Sequence, residues 1–513
     1  MSATESRERG FRISGRVRLQ GALSCRIGRC RQLAEANSTI IKRLVQALPA
    51  SKSSDACPSP FLHFVSSIMS SPLNPSSSDR RSFLKTSSAA TAGVALGGSI
   101  ARTAHAAGSD EIKLTLIGCG GRGSGAVINL FGTEGNVKLV AVADAFGHKA
   151  DSMIRSMKTR KEYADKIDVK PEYVFTGLDG YKAAIDNADG DLIIIATPPG
   201  FKPQQFEYAV NKGKHVFMEK PVASDAPGVR RVLAAVEESK KKNLMVGVGL
   251  QRRHEPQYME TIQRIHDGAI GDVISQQVYW NGGGIWYRNR TAEQNEMQFQ
   301  CNNWYHFNWL SGDQICEQHI HNLDVGCWVK DMYPVKCNGM GGREQRMEGD
   351  PTKSQIFDHT FCEFTFADGS KMFSQGRHLK GGWTNVSEFA QGTKGMADPS
   401  GQILGNYEWH YSSDEKRVKG HQLEQNDLIA ALVRGDVYNE GEYGAKSTFT
   451  AILGREACYS AKELKWDELL ANGRDLAPNI DELTLESDVP LSARPDANGE
   501  YPIPVPGKYD PFA

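Results

Sequence analysis

From residue 112 onward the chain is written in two patterns. Up to about residue 251, near-continuous apolar runs at 114–117, 139–142, 192–196, 215–218 and 244–248 alternate with amphipathic stretches. Short runs with no polar alternation suit strands buried on both faces. The clearest stretch between them is 225–242. It opens with an acid and a proline and closes on Lys240-Lys241-Lys242, charges that suit a helix dipole. Repeated strand–helix units predict a doubly wound parallel sheet, an α/β Rossmann domain over 112–251.

After residue 251 the pattern changes. A helix is expected near 256–267 and a strand near 272–280. An aromatic, Gly- and Asn-rich insertion runs to about 310, and a helical stretch follows at 319–329. Segments 357–366, 370–377, 387–392 and 407–411 alternate apolar and polar residues. They read as a large, open, mostly antiparallel sheet with one buried face, hence an α+β second domain over 252–465. Helices near 425–434 and 446–464 pack on it or return toward the first domain. The Pro- and Asp-rich stretch from 476 reads as an extended arm, part of a tail assigned to 466–513.

The first 110 residues are different. Residues 1–68 are Arg- and Ser-rich with weak periodicity and read as non-structural. Within 69–107 lie Asp79-Arg80-Arg81-Ser82-Phe83-Leu84-Lys85, a small-residue apolar run at 89–101, and Ala104-His105-Ala106. That order matches a twin-arginine export signal with its cleavage site, and so a periplasmic destination and the twin-arginine export machinery as a partner. The alternative is a basic linker. Met69 stands at a normal distance before the arginines. The expectation is therefore that translation starts there and that residues 1–68 belong to an over-extended gene model.

Composition narrows the partners. The 513 residues are 40% hydrophobic and 24% charged, with a formal net charge of −1. No global field draws the chain to nucleic acid or an anionic membrane. No apolar stretch is long enough for stable membrane insertion. The 10 cysteines are scattered without a C-x-x-C pair, so neither a zinc ribbon nor a redox dithiol is indicated.

The first candidate chemistry follows the strand at 114–117. Gly118, Gly120 and Gly123 make G-x-G-x-x-G, with Gly121 and Arg122 between them and a helical pattern beginning at Ala126. Such a turn lets backbone approach a pyrophosphate at a helix N-terminus. Asp144 closes the next apolar run about 20 residues on, where an acid holds the adenosine ribose. A carboxylate there favours NAD over NADP, because it accepts from a 2′-hydroxyl and repels a 2′-phosphate. Ala145 and Phe146 add no cation, while Arg122 is placed to meet phosphate oxygens or solvent. Two further strand ends carry Ala196-Thr197-Pro198 and Glu219-Lys220-Pro221, where open α/β sheets place ligands. A lysine there can bond a substrate hydroxyl. The plain alternative is a surface lysine in a turn.

A-T-P, then E-K-P about twenty residues later, both after G-x-G-x-x-G, resembles the Gfo/Idh/MocA family of glucose–fructose oxidoreductases and inositol dehydrogenases. The likeness covers most of 112–465. It implies a Rossmann domain, an α+β domain with an open sheet that buries a face between subunits of a homo-oligomer, and NAD(P)-dependent work on sugars or polyols. It also implies that Lys220 contacts substrate. The family's second motif, G-G-x-x-x-D-x-G-x-H-x-x-D, is similar to Gly312-Asp-Gln-Ile-Cys-Glu317-Gln-His319-Ile-His321-Asn-Leu-Asp324, with Glu317 and His319 departing from it. By that likeness His321 is the proton-handling imidazole. A helix from about residue 315 puts Glu317 and His321 on one face, where a carboxylate raises imidazole basicity. Arg252, Trp304, Tyr305, His319 and Asp324 are candidate substrate contacts. Cys316, Glu317, His319 and His321 could also suggest a metal site, but H-x-H lacks a full ligand set and nicotinamide chemistry needs no metal. A structural role for these residues is the other alternative. The aromatic residues of 279–310 favour a carbohydrate-like ligand or pack in a core.

Export of a folded protein implies a tightly held, recycled cofactor. Two chemistries fit: coupled oxidation and reduction of sugars, or transient oxidation during glycoside cleavage, as in the related NAD-dependent glycosidases. A non-catalytic sugar-binding protein of the same fold is the reading from another class.

Overall fold

The computed structural model describes residues 111–346, 354–413 and 417–513. The expected signal at 69–107 and the extension before it lie outside the described residues. The first sheet is built from β1 (Glu111–Ile117), β2 (Asn136–Asp144), β3 (Val174–Thr176), β4 (Leu192–Ile195), β5 (His215–Met218) and β6 (Val246–Val248). Its order is β3-β2-β1-β4-β5-β6, every neighbour parallel. The order reverses between β1 and β4, which is where an open α/β sheet opens a crevice. Between the strands run α1 (Gly121–Phe131), α2 (Gly147–Lys158), α3 (Gly180–Asn187), α4 (Lys202–Asn211) and α5 (Ala226–Lys241). Helix α5 starts where the charge pattern puts it: the Asp225 carboxylate accepts the Gly228 N–H at 2.8 Å, and Lys240 and Lys241 fill its last turn.

Helix α6 (Pro256–His266) leads into the second sheet. Its first strand, β7 (Val273–Gly282), is followed by a helical insertion: α7 (Glu296–Asn302), α8 (Asn308–Ser311), α9 (Asp313–Glu317) and α10 (Ile320–Lys330). The sheet continues with β8 (Lys336–Gly342), β9 (His359–Thr365), β10 (Lys371–His378), β11 (Asn385–Gly392), β12 (Gly395–Asp398), β13 (Gln402–Gly405) and β14 (Trp409–His410). After α11 (Gly420–Arg434) and α12 (Gly441–Ser460) come β15 (Leu464–Lys465) and α13 (Trp466–Asn472). The nine strands lie in the order β14-β13-β12-β11-β7-β10-β9-β8-β15, antiparallel except for the β7–β10 pair. Helix α12 covers one face, its Phe449, Leu453 and Ala457 sharing a core with Cys362, Phe364 and Met372.

Four expectations are corrected. The segment 407–411 contributes only the two residues of β14, and the short strands β12 and β13 precede it. The helix expected from residue 315 is broken: α9 ends at Glu317 and α10 begins at Ile320. Residues 466–472 of the expected arm are helical. The aromatic insertion is chiefly core. Phe299, Phe307 and Trp309 are buried with Phe201, and Leu476, Val489 and Tyr501 of the C-terminal stretch close over them. Helix α11 returns to the first sheet, where Leu428, Ile429 and Leu432 pack with Leu114, Val127 and Leu130. Among the described residues no helix is long and apolar enough to cross a membrane.

Candidate active site

The turn after β1 is shaped by what a side chain would strike. Gly118 has φ +96°, and a Cβ there would meet the Ala196 backbone at 2.8 Å. A Cβ on Gly123 would lie 2.0 Å from the Gly118 carbonyl oxygen, so α1 packs hard on the turn. Gly120 and Gly121 instead face open space. Their N–H groups begin α1, whose first turn holds no acid. A cavity runs from Gly118 and Gly120 past Asp144 to Ala196, Thr197 and Pro198, with Phe201 and Trp304 forming its far wall. An open glycine cradle, a helix N-terminus and an acid at the end of β2 fit a dinucleotide.

Asp144 also braces this turn. Its carboxylate accepts the Cys119 N–H at 2.8 Å and the Phe146 N–H at 2.9 Å. Arg122 turns away from the cradle and pairs with Glu219 at 2.8 Å. Glu219 is buried, and that burial pushes its carboxyl pKa up against the pull of Arg122. Sequence reasoning missed Lys149, in the first turn of α2. It lines the cavity, its ammonium 4.4 Å from the Phe146 ring centre, and burial lowers its pKa.

At the end of β5, Lys220 donates to the Glu317 backbone carbonyl and, at 3.1 Å, to the Glu317 carboxylate. Three buried polar atoms near this pair have no partner among the described residues: Glu317 Oε2, the Tyr305 hydroxyl and His321 Nδ1. The His321 ring lies on Trp280, centroids 5.9 Å apart. Burial, then the charges of Lys220 and Arg252, hold its pKa well below the usual histidine value. The expected Glu317–His321 pair does not form. The break at Gln318–His319 takes the two residues off a common helix, and Lys220 claims the carboxylate instead.

The remaining expected contacts divide. His319 is fully buried, bonded to Ser374 at 2.7 Å and to Asn322, and burial pushes its pKa down to about 3. Asp324 is 1% exposed, held by both the Nε and Nη2 of Arg253, and accepts from Ser447. Both are spent inside the fold. Arg252 is paired with Glu388 on β11. Trp304 belongs to the dinucleotide cavity, while Tyr305 lies beside Glu317. A second imidazole, His421 in the first turn of α11, comes close to Arg122, Lys220 and His321. Burial, then those two cations, lowers its pKa to about 4. No local pattern around residue 421 marks it, because only the return of α11 brings it here. Among the described residues no group of three or more His, Cys, Asp or Glu is arranged to hold a metal.

Residues 112–248 match the model of the Gfo/Idh/MocA oxidoreductase family, NAD-binding Rossmann fold. The first domain is thus similar to the NAD-binding domain of that family. An inositol 2-dehydrogenase of Rhizobium meliloti is 30% identical over 164 residues, 32% of this chain and 43% of that protein. A glycosyl hydrolase family 109 protein of a Shewanella species is 28% identical over 214 residues, 38% of this chain and 44% of that one. The chain thus spans less than half the length of these two curated relatives. Beyond the matched residues the likeness is one of fold. An aldose-aldose oxidoreductase of Caulobacter crescentus, solved with glycerol, superposes with a TM-score of 0.54 at 18% identity, covering 69% of this chain and 99% of that one.

Proposed function

We propose that this protein is an oxidoreductase that transfers hydride between a tightly held NAD and a secondary alcohol of a neutral sugar or polyol. The observation that carries this reading is how charge is spent around Lys220. Lys220 is paired with Glu317, Arg252 with Glu388 and Arg122 with Glu219. Beside Lys220 and Glu317, the atoms that lack a protein partner among the described residues include a carboxylate oxygen, a phenol and an imidazole nitrogen. Such groups bond hydroxyls, and a buried polar atom needs a partner of that kind. A phosphate or carboxylate on the substrate would instead seek an uncommitted cation.

Gly120 and Gly121 would hold the pyrophosphate, Asp144 the adenosine ribose, and Ala196–Pro198 the wall of the cleft. The bound nicotinamide supplies a hydride acceptor. Lys220, fixed by Glu317, donates to the reacting oxygen and steadies its negative charge. His321, neutral because buried, takes the hydroxyl proton at Nδ1 as the C–H bond gives up its electron pair. Asp144 supports NAD, although Lys149 places a cation in the same cavity.

Denaturing the purified protein and identifying the released dinucleotide tests the cofactor, and a panel of free sugars and polyols tests the reaction. Lactone or ketone formation supports the reading. The likeness to a family 109 glycosidase makes the second outcome specific: release of sugar from an aryl glycoside without net nicotinamide reduction would replace it. We further propose export through the twin-arginine pathway, on Arg80 and Arg81, the apolar run at 89–101 and Ala104-His105-Ala106 in that order. Replacing both arginines by lysine is expected to leave the protein in the cytoplasmic fraction.

A further inference from the structure

Helix α4 begins with a residue on the wrong end. Lys202 is its first residue, where the dipole disfavours a cation. Its side chain is 2% exposed. Among the described residues it forms no ion pair, unlike the buried cations Arg253 and Arg455, which pair with Asp324 and Glu456. The ammonium instead donates to two backbone carbonyls, Pro221 at 2.9 Å and Lys220 at 3.4 Å. Those carbonyls lie past the end of β5, beyond its last ladder pairing at Met218, and Pro221 has no N–H of its own to offer. So the backbone that carries Lys220 is held from beneath by a second lysine.

We propose that Lys202 is the positioning residue for Lys220, its buried ammonium clasping the turn so that the Lys220 amine meets Glu317 and the reacting oxygen. Lys202 is otherwise unaccounted for: an unpaired buried charge is expensive, and a methionine would fill the same space. The charged groups that face it are Glu317 at the end of α9, and Glu219 and Lys220 after β5. Burial brings its pKa down to about 7, against the pull of the two carboxylates. Charge-assisted bonds to the two carbonyls therefore weaken as pH rises through neutrality.

The inference rests on the proposed role of Lys220, so its test has two independent readouts. The first is Lys202→Met followed by thermal unfolding across pH 6–10. A lysine whose folded pKa lies below its unfolded value binds fewer protons when folded, so its contribution to stability improves as pH rises above about 7. The Tm gap between wild type and Lys202→Met is expected to move in favour of wild type over that range. A gap that stays constant shows that Lys202 keeps one protonation state over that range: the pH dependence is then wrong, and the kinetic readout decides the positioning role. The second readout is kinetic. Lys202→Met is expected to lower kcat at least tenfold with KM and dinucleotide affinity within about threefold; wild-type kcat is expected to fall above neutral pH, and that of Lys202→Met is not. Lowered Tm with unchanged kcat would leave Lys202 a structural clasp only, and the positioning role would be wrong. A wild-type protein that turns over no sugar or polyol would instead remove the proposed function and leave the first readout standing.

Discussion

Lys220 lies 97 residues before the carboxylate that holds it, and the site depends on that long-range meeting. Lys220→Ala should cost roughly 10²–10⁴-fold in turnover while the dinucleotide stays bound, measured by rapid quench and by intrinsic fluorescence titration. Unchanged ligand binding in a protein with no turnover before or after the substitution would point to a sugar-binding protein instead. His254 makes a different kind of prediction. It bridges Asp427 at 2.7 Å and Glu440 at 3.1 Å. Burial opposes its charge, but those bonds raise its pKa to about 10. A histidine raised from about 6.5 stabilises fully below pH 6.5 and loses that contribution as pH rises through 10. Wild type should exceed His254→Gln by about 2 kcal/mol in urea unfolding at pH 6, with the gap closing by pH 10. The glycine turn, Asp144 and Lys220 were legible in the sequence because strand, turn and acid arrive in an order that chemistry requires. His319 and Asp324 turn into the fold, which the sequence does not show, because motif spacing fixes where a residue falls along the chain, not which way its side chain turns. Lys202 did carry a signal, a cation in the first turn of a helix.

At the scale of elements, α11 is what ties the late chain to the glycine turn. Gln422 donates to the Asn129 carbonyl at 2.8 Å and accepts from the Asn129 amide at 3.2 Å, so the start of α11 lies along α1. Gln422→Ala should cost about 1–2 kcal/mol by chemical denaturation. It should also slow turnover if His421 works where it stands, while an equal loss of stability in an exposed-surface control leaves turnover alone. The sequence predicted this helix and left its docking open, since its apolar face alone does not choose between two sheets. The break between α9 and α10 was invisible for a related reason. Periodicity continues across it, and the interruption comes from tertiary partners, Ser374 on β10 and the buried His319 ring. Element types were read well for the longer apolar or alternating runs, such as β1, β4, β9 and β10, while the three-residue β3 and the glycine-rich β8 went unread. The two-residue β14 and the short β12 and β13 are too brief for a period to register.

For the molecule as a whole, the second sheet turns an apolar face outward. Met340 is 68% exposed, Trp383 62% and Phe389 40%, while Phe361 stacks on Phe373 beside them. A contiguous patch of this kind on an open sheet suits a copy of the same chain. Sedimentation velocity should find an oligomer, and Phe389→Glu with Met340→Glu should shift it to monomer without changing the far-ultraviolet spectrum. The C-terminal stretch has a consequence of another sort. Phe201 and Trp304 wall the dinucleotide cavity, and the cluster they belong to is closed by Leu476, Val489 and Tyr501. Synthesis reaches those residues more than 350 positions after the glycine turn is made. A nascent chain still on the ribosome therefore presents a pocket with its back wall unsupported. Cofactor loading is therefore expected late, once residues 476–501 have been made and have closed over Phe201 and Trp304.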